Sequence, residues 1–146
     1  MSPVSLAGQK AVIIGFAGYQ ELHLWYPVLR LRELGAEVTL AGAAGAEATS
    51  GALRYPLLPN AAVGDVVPDG LWAVIIPGGP GADDAASAPE VASFVSKAHA
   101  AGAWVAVIAE GAQVLAAAGL DASTERVAVA AHADAIPALF RQLTAQ

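Results

Sequence analysis

Apolar residues gather here in short unbroken runs more often than they alternate with polar ones. "KAVIIGF" (10–16), "LWAVIIPGG" (71–79) and "AWVAVIA" (103–109) are the strongest. Runs of this length, bounded by Gly or Pro, are the pattern of strands buried on both faces of a parallel sheet. "AEVTLAG" (36–42) reads as a further strand and "RVAVAA" (126–131) as the last. Between them the spacing turns helical. "YQELHLWYPVLRLREL" places apolar residues at 22, 25, 26, 29 and 34 and stops at Gly35. "PEVASFVSKAHAAG" opens on Pro89, a favoured first helical residue, "EGAQVLAAAGL" reads as a short helix, and "ADAIPALFRQLTA" as a closing one. Residues 43–70 are rich in Gly, Pro and Ala, with one short strand expected near "LRYPLL". Strands alternating with helices, without linker or repeat, predict one α/β domain over 1–146, a doubly wound and mainly parallel sheet with right-handed crossovers. In such sheets ligands sit beyond the carboxyl ends of the strands. Gly15–His23, Pro77–Asp84 and Ala109–Gln113 would meet there.

Composition narrows the function. The chain has 146 residues, 56% hydrophobic and 14% charged, and its longest apolar runs break well short of the ~20 residues a membrane span requires. "MSPVSLAGQK" has no basic stretch ahead of an apolar core, so no export signal is expected and a cytoplasmic location is. Net charge is −6 with seven scattered basic residues, which argues against nucleic-acid binding. No cysteine is present, removing disulfides, thiolate metal sites and a thiol nucleophile together. His23, His99 and His132 are far apart in sequence and none has a neighbour at metal-ligand spacing. No metal or cofactor is expected. Abundant alanine with few charges suggests surface buried between subunits, hence a homodimer.

Three places can carry chemistry. At the junction after 103–109, a strand turning sharply into a helix projects its turn residue into the cleft and points backbone N–H groups at bound negative charge. That residue is Ala109, which brings no nucleophile and no proton. Glu110 follows, favoured as an anion by the helix dipole and as a neutral acid by burial; a plain helix-capping role is the alternative. His23 lies in the first turns of the first helix, and Pro27, four residues on, leaves its carbonyl without the usual helical donor. "IPGGPGADD" (76–84) supplies Gly78 and Gly79, able to adopt positive φ and to line an anion pocket with amides. Asp83 and Asp84 read as solvated loop charges. Phe16, Tyr19 and Trp25 could wall an apolar pocket, or belong to the core.

"ELHLWYPVLRLRELGAEVTLAG" (21–42), "LWAVIIPGGPGADD" (71–84), "AGAWVAVIAEGAQVLAAAGL" (101–120) and "HADAIPALFRQL" (132–143), in this order, resemble the DJ-1/PfpI (ThiJ-like) family. The resemblance implies a flavodoxin-like fold and a dimer. The stretch from Leu120 to Arg126 is too short for the strands the family usually carries after its elbow helix. The family's elbow reads Ala-Ile-Cys-His-Gly; here it is Val107-Ile108-Ala109-Glu110-Gly111. The resemblance places His23 where the family has the glutamate that bonds its cysteine, and Asp83 where an acidic residue crosses the dimer. Proteolysis, glyoxalase and deglycase chemistry through a thiolate therefore do not carry over.

What remains is an imidazole and a carboxylate expected to share one dry pocket, a general acid–base pair. The expected activity is cofactor-free isomerisation, hydration or dehydration, or ring closure of a small, mostly apolar molecule. Glu110 would move the proton, His23 would shuttle it, and amides near Gly79 and Glu110 would hold oxyanion charge. The competing readings are a non-catalytic binding protein and a thiol enzyme whose elbow cysteine has been replaced by engineering.

Overall fold

The computed structural model describes residues 5–145; the first four residues of the N-terminal stretch considered for an export signal lie outside them. Strand β1 (Lys10–Gly15) leads into helix α1 (Glu21–Glu33), and β2 (Glu37–Gly42) follows. The segment expected to hold one short strand holds three: β3 (Thr49–Ser50), β4 (Pro56–Leu57) and β5 (Ala61–Ala62). Each is two residues long, too short for periodicity to reveal. β6 (Ala73–Ile76) is followed by α2 (Ala82–Ser87) and α3 (Pro89–Ala100). β7 (Trp104–Ile108) then runs through a 3-10 turn at Ala109–Ala112 into α4 (Gln113–Ala117), and β8 (Val127–Ala130) precedes α5 (Ile136–Thr144).

The main sheet has the order β5-β2-β1-β6-β7-β8, and every neighbouring pair in it is parallel. β3 and β4 form a separate antiparallel pair. Ala11–Ile14, Ala73–Ile76 and Val105–Ile108 are buried throughout, which is why these segments are unbroken apolar runs. Tyr26 of α1 meets Phe140 of α5 edge-on at 5.9 Å, placing these helices together, while α2, α3 and α4 pack on one another. The fold is a flavodoxin-like, doubly wound α/β sheet.

The order reverses between β1 and β6, since the chain builds outward from β1 to β2 and then returns to β6 on the other side. At such a reversal the loops leaving two adjacent strands diverge and open a crevice at their carboxyl ends. Here the loops are stitched together across it: Gln20 N donates to the Gly78 carbonyl at 2.8 Å and Gly81 N to that of Gly18 at 3.1 Å. Gly79 is required twice over, by its φ of +123° and because a Cβ would sit 2.5 Å from Gln20 N and Gly18 O.

The weakly patterned segment 49–58 is held by α1. The Glu21 carboxylate accepts from Leu53 N at 2.9 Å and from Tyr55 N at 3.0 Å. Burial raises the Glu21 pKa, but these N–H donors outweigh it and the net shift is downward. The buried Tyr19 hydroxyl donates to the Tyr55 carbonyl at 3.0 Å and accepts from Trp25 Nε1 at 3.1 Å. Replacing Glu21 by Ala removes two hydrogen bonds of this clasp, whose exposed amides turn to water, at a cost of about 0.5–1.5 kcal/mol. Faster tryptic cleavage after the exposed Arg54, with the main sheet retained by circular dichroism, is the expected result.

Candidate active site

α1 orients its functional residue by amphipathicity. His23, Leu24, Pro27, Val28 and Leu31 form its buried stripe, so His23 is turned inward, to the sheet's carboxyl edge. Its Nδ1 accepts from Gly78 N at 3.1 Å. A backbone N–H cannot accept, so Nδ1 carries no proton and the neutral ring has its hydrogen on Nε2. Nε2 has no partner among the described residues and is not sealed off, so it presents its N–H to the cleft that His23 lines. Burial pushes the His23 pKa down from 6.5, and the Glu110 charge only partly restores it.

The next amide in the chain holds the second group. Gly79 N donates to Glu110 Oε1 at 3.0 Å. Glu110's own backbone N–H and that of Gly79 bring its pKa below 4.5, against a smaller opposing effect of burial and with help from His23. The carboxylate is therefore ionised at neutral pH. It accepts from two donors, leaving about two of its four lone-pair sites free. Gly78 is the residue that makes room: a Cβ there would lie 2.6 Å from Glu110 Oε1, 2.7 Å from the Ile108 carbonyl and 3.0 Å from the Ala109 methyl. Only Gly79 of the pair has positive φ, so at Gly78 the requirement is space.

Ala109 occupies the elbow with φ +49°, a left-handed conformation that costs a non-glycine residue about 1–2 kcal/mol. The strain persists because β7 and the following turn are fixed on both sides. Gly111 lets that turn approach β6, for a Cβ would meet the carbonyls of Ile76 and Pro77 at 2.5 and 2.6 Å.

These elements enclose an open cleft of about 350 Å³. Gln20 and His23 come from α1 and its cap, Gly79 and Pro80 from the loop after β6, Ala109 and Glu110 from the elbow, and Ala131–Ala133 from the end of β8. His132 thus faces the same space as His23, although the two are remote in sequence. Gln20 and Pro80 fall within the segments expected to meet here without having been singled out, and Ala131, His132 and Ala133 are site residues that the sequence pattern did not place there. The position of His132 directly beyond a predicted strand is the signal that could have found it. Among the described residues no group of three or more His, Cys, Asp or Glu side chains is placed to hold a metal ion.

Several expectations are corrected. The cleft is not dry: His23 is buried but Glu110 is exposed. The amides expected to hold oxyanion charge, at Gly79 and Glu110, are already taken by the Glu110 carboxylate. Trp25 and Tyr19 do not line the cleft but join the clasp, with Trp25 edge-on to Tyr55 at 5.6 Å. Residue 25 lies about 200° around the helix from residue 23, so both cannot face one pocket. Phe16 lines a separate cavity of about 140 Å³ with Gly15 and Gly42. Asp83 and Asp84 lie on α2, not in a loop; both are exposed and outside the lining of the cleft. α2 leaves no mark in the hydrophobic pattern because Ala82 and Ala85, its buried contacts, carry too little bulk to define a helical face.

Residues 9–139 match the DJ-1/PfpI family. The chain belongs to that family. A deglycase from Thermococcus kodakarensis is 33% identical over 118 residues, covering 76% of this chain and 66% of the relative, just under two thirds of its length. Drosophila melanogaster DJ-1beta is 27% identical, with a TM-score of 0.72 over 77% of this chain and 61% of that one. A DJ-1 superfamily protein from Salmonella typhimurium, solved as a Cys-to-Ala mutant, shares the fold over 94% of this chain and 89% of its own, with a TM-score of 0.81 at 20% identity. Within this family fold, residues 118–126 contain no strand, only a turn in which Asp121 Oδ1 accepts from Ser123 N at 2.8 Å.

Two consequences can be measured. Gly78→Ala drives its methyl against a fixed carbonyl and the carboxylate, costing about 1–3 kcal/mol in urea unfolding. The second concerns pH. His23 is kept neutral in the fold, so the unfolded chain takes up its proton first as pH falls. Its contribution is whole above 6.5 and declines as pH drops toward the lower folded value. That of Glu110 is whole above 4.5 and is lost only as pH falls through its own depressed value. Stability of the wild type should fall between pH 7 and 5. His23→Asn, which keeps an acceptor near Nδ1 but cannot titrate, should flatten that slope.

Proposed function

We propose that this chain is a cofactor-independent acid–base catalyst that moves a proton on a small, largely apolar carbonyl compound, in an isomerisation, a hydration or dehydration, or a ring closure. The observation that supports this reading is the division of labour imposed by two successive amides. Gly78 N–H fixes His23 as a neutral ring with a hydrogen on Nε2, and Gly79 N–H helps keep Glu110 ionised beside it. Donor and base are thus preset before a substrate arrives.

In this mechanism a substrate carbonyl oxygen accepts from His23 Nε2–H, which polarises it as a neutral electrophile. Glu110 takes a proton from the adjacent carbon, and the oxyanion is held by the imidazole, the amides being occupied. Returning the proton from Glu110 to a neighbouring atom completes an isomerisation; giving it to a β-hydroxyl, which departs as water while the C–O bond breaks and the carbonyl re-forms, completes a dehydration. Such proton transfer supplies about 10²–10⁴-fold. Any deglycase activity, by analogy with the Thermococcus relative, would have to proceed without a thiol, since the chain has no cysteine. A cytoplasmic homodimer remains part of this proposal.

A second reading has its own support. A carboxylate bonded by two backbone amides is a weakened base and a staple between the elbow and the Gly78–Gly79 loop, as suits a binding protein without turnover. Deuterium exchange of α-protons in a panel of small ketones and hydroxyketones, followed by NMR in D2O, separates the two. Catalysis predicts exchange that Glu110→Gln lowers about 10²-fold or more and His23→Asn about tenfold, both with native circular dichroism. Background-level exchange by the wild type, or unchanged rates in both variants, would leave the binding reading standing.

A further inference from the structure

We propose that the site extends into an apolar subsite between α1 and α5, which takes the hydrocarbon tail of an uncharged substrate whose polar head lies against His23 and Glu110. As a statement about the substrate this rests on the proton-transfer reading; as a statement about binding it does not. A second cavity of about 300 Å³ adjoins the cleft, lined by Leu22, Tyr26, Ala133, Asp134, Ile136 and Pro137. Ala133 lines both spaces, so they meet at a methyl group, not at a bulky wall. On α1 the division falls between successive residues: His23 turns in to the polar cleft, while Leu22 stands 52% exposed over the apolar groove.

The chemistry of the walls names the class of ligand. Leu22 and Tyr26 are one helical turn apart, about 6 Å along the axis, a span suited to a chain of about four to six carbons. Buried Ile136 and the Pro137 ring complete an apolar trough, and the Tyr26–Phe140 contact holds α1 against α5 beneath it. No Lys or Arg lines either space, whereas Glu110 and Asp134 do. A carboxylate or phosphate head would meet like charge with no cation to offset it. The fitting ligand is a neutral carbonyl compound with an unbranched alkyl tail.

The test uses the intact chain and straight-chain methyl ketones from butanone to octanone, with binding measured by ligand-detected NMR. The proposal expects affinity to rise about two- to threefold per added methylene until the trough is filled, then to level. Leu22→Asp, at an exposed position that tolerates substitution, should abolish the chain-length dependence while leaving butanone binding unchanged. Ala133→Leu, which fills the junction, should likewise abolish the chain-length dependence. Equal affinity across the wild-type series, or a full chain-length dependence in Leu22→Asp, overturns the subsite. A wild-type dimer that shows no chain-length dependence and that Leu22→Asp dissociates also overturns it, by assigning the groove to a second copy. Glu110→Gln keeps the two proposals separable. If wild-type exchange fails while the chain-length dependence persists in both proteins, proton transfer is wrong and the subsite stands. Exchange without that dependence removes the subsite and keeps proton transfer.

Discussion

Two consecutive backbone amides, those of Gly78 and Gly79, organise everything of chemical interest in this molecule. One is given to an imidazole and the next to a carboxylate. Because an N–H can only donate, the first leaves Nδ1 without a proton, and the second, together with Glu110's own amide, favours the ionised carboxylate; the two states are complementary, a neutral ring with an outward N–H and an ionised base. The pairing rests on a loop of the right shape at the point where the sheet order reverses.

That loop is shaped by what it lacks. Gly78 has no side chain because the Glu110 carboxylate and a neighbouring carbonyl occupy the space, and Gly79 has none because the backbone of 18–20 does. The elbow opposite holds Ala109 at positive φ although its methyl presents nothing reactive. The elbow turn is thus kept in a chain without a thiol, and the polar side chains that line the cleft stand one residue along at Glu110, on α1 at His23 and beyond β8 at His132. The open, half-solvated character of the cleft follows as well. A carboxylate at a turn between strand and helix is held by amides at its base while its outer lone pairs reach water, whereas an imidazole on the inner stripe of a helix is shielded by the sheet.

Much of this was legible in the residues. The unbroken apolar runs marked the central strands because burial on both faces admits little else, and Gly35 and Pro89 marked helix limits through backbone preferences that operate locally. His23 and Glu110 stood out as unusual occupants of recognisable positions. The two-residue strands and α2 were not legible, since elements so short, or so rich in alanine, are stabilised by what packs on them and leave no periodic trace. Trp25 misled because an aromatic near a candidate site is easily taken for part of it, while its helical angle assigns it to the clasp with Tyr19 and Tyr55.

The sequence by itself determined the class of fold, the absence of any thiol and the presence of His23 and Glu110 at the positions where the loops were expected to meet. The tertiary structure alone decided which atoms of those groups are free, that His132 faces the same cleft, that Glu110 is exposed and not dry, and that an apolar trough adjoins the site at Ala133. The reason is physical. Hydrophobic periodicity and backbone preference act between residues close in the chain and can be read along it, whereas protonation state, tautomer and cleft shape depend on donors and walls that only the crossing of β1, β6, β7 and β8 brings together.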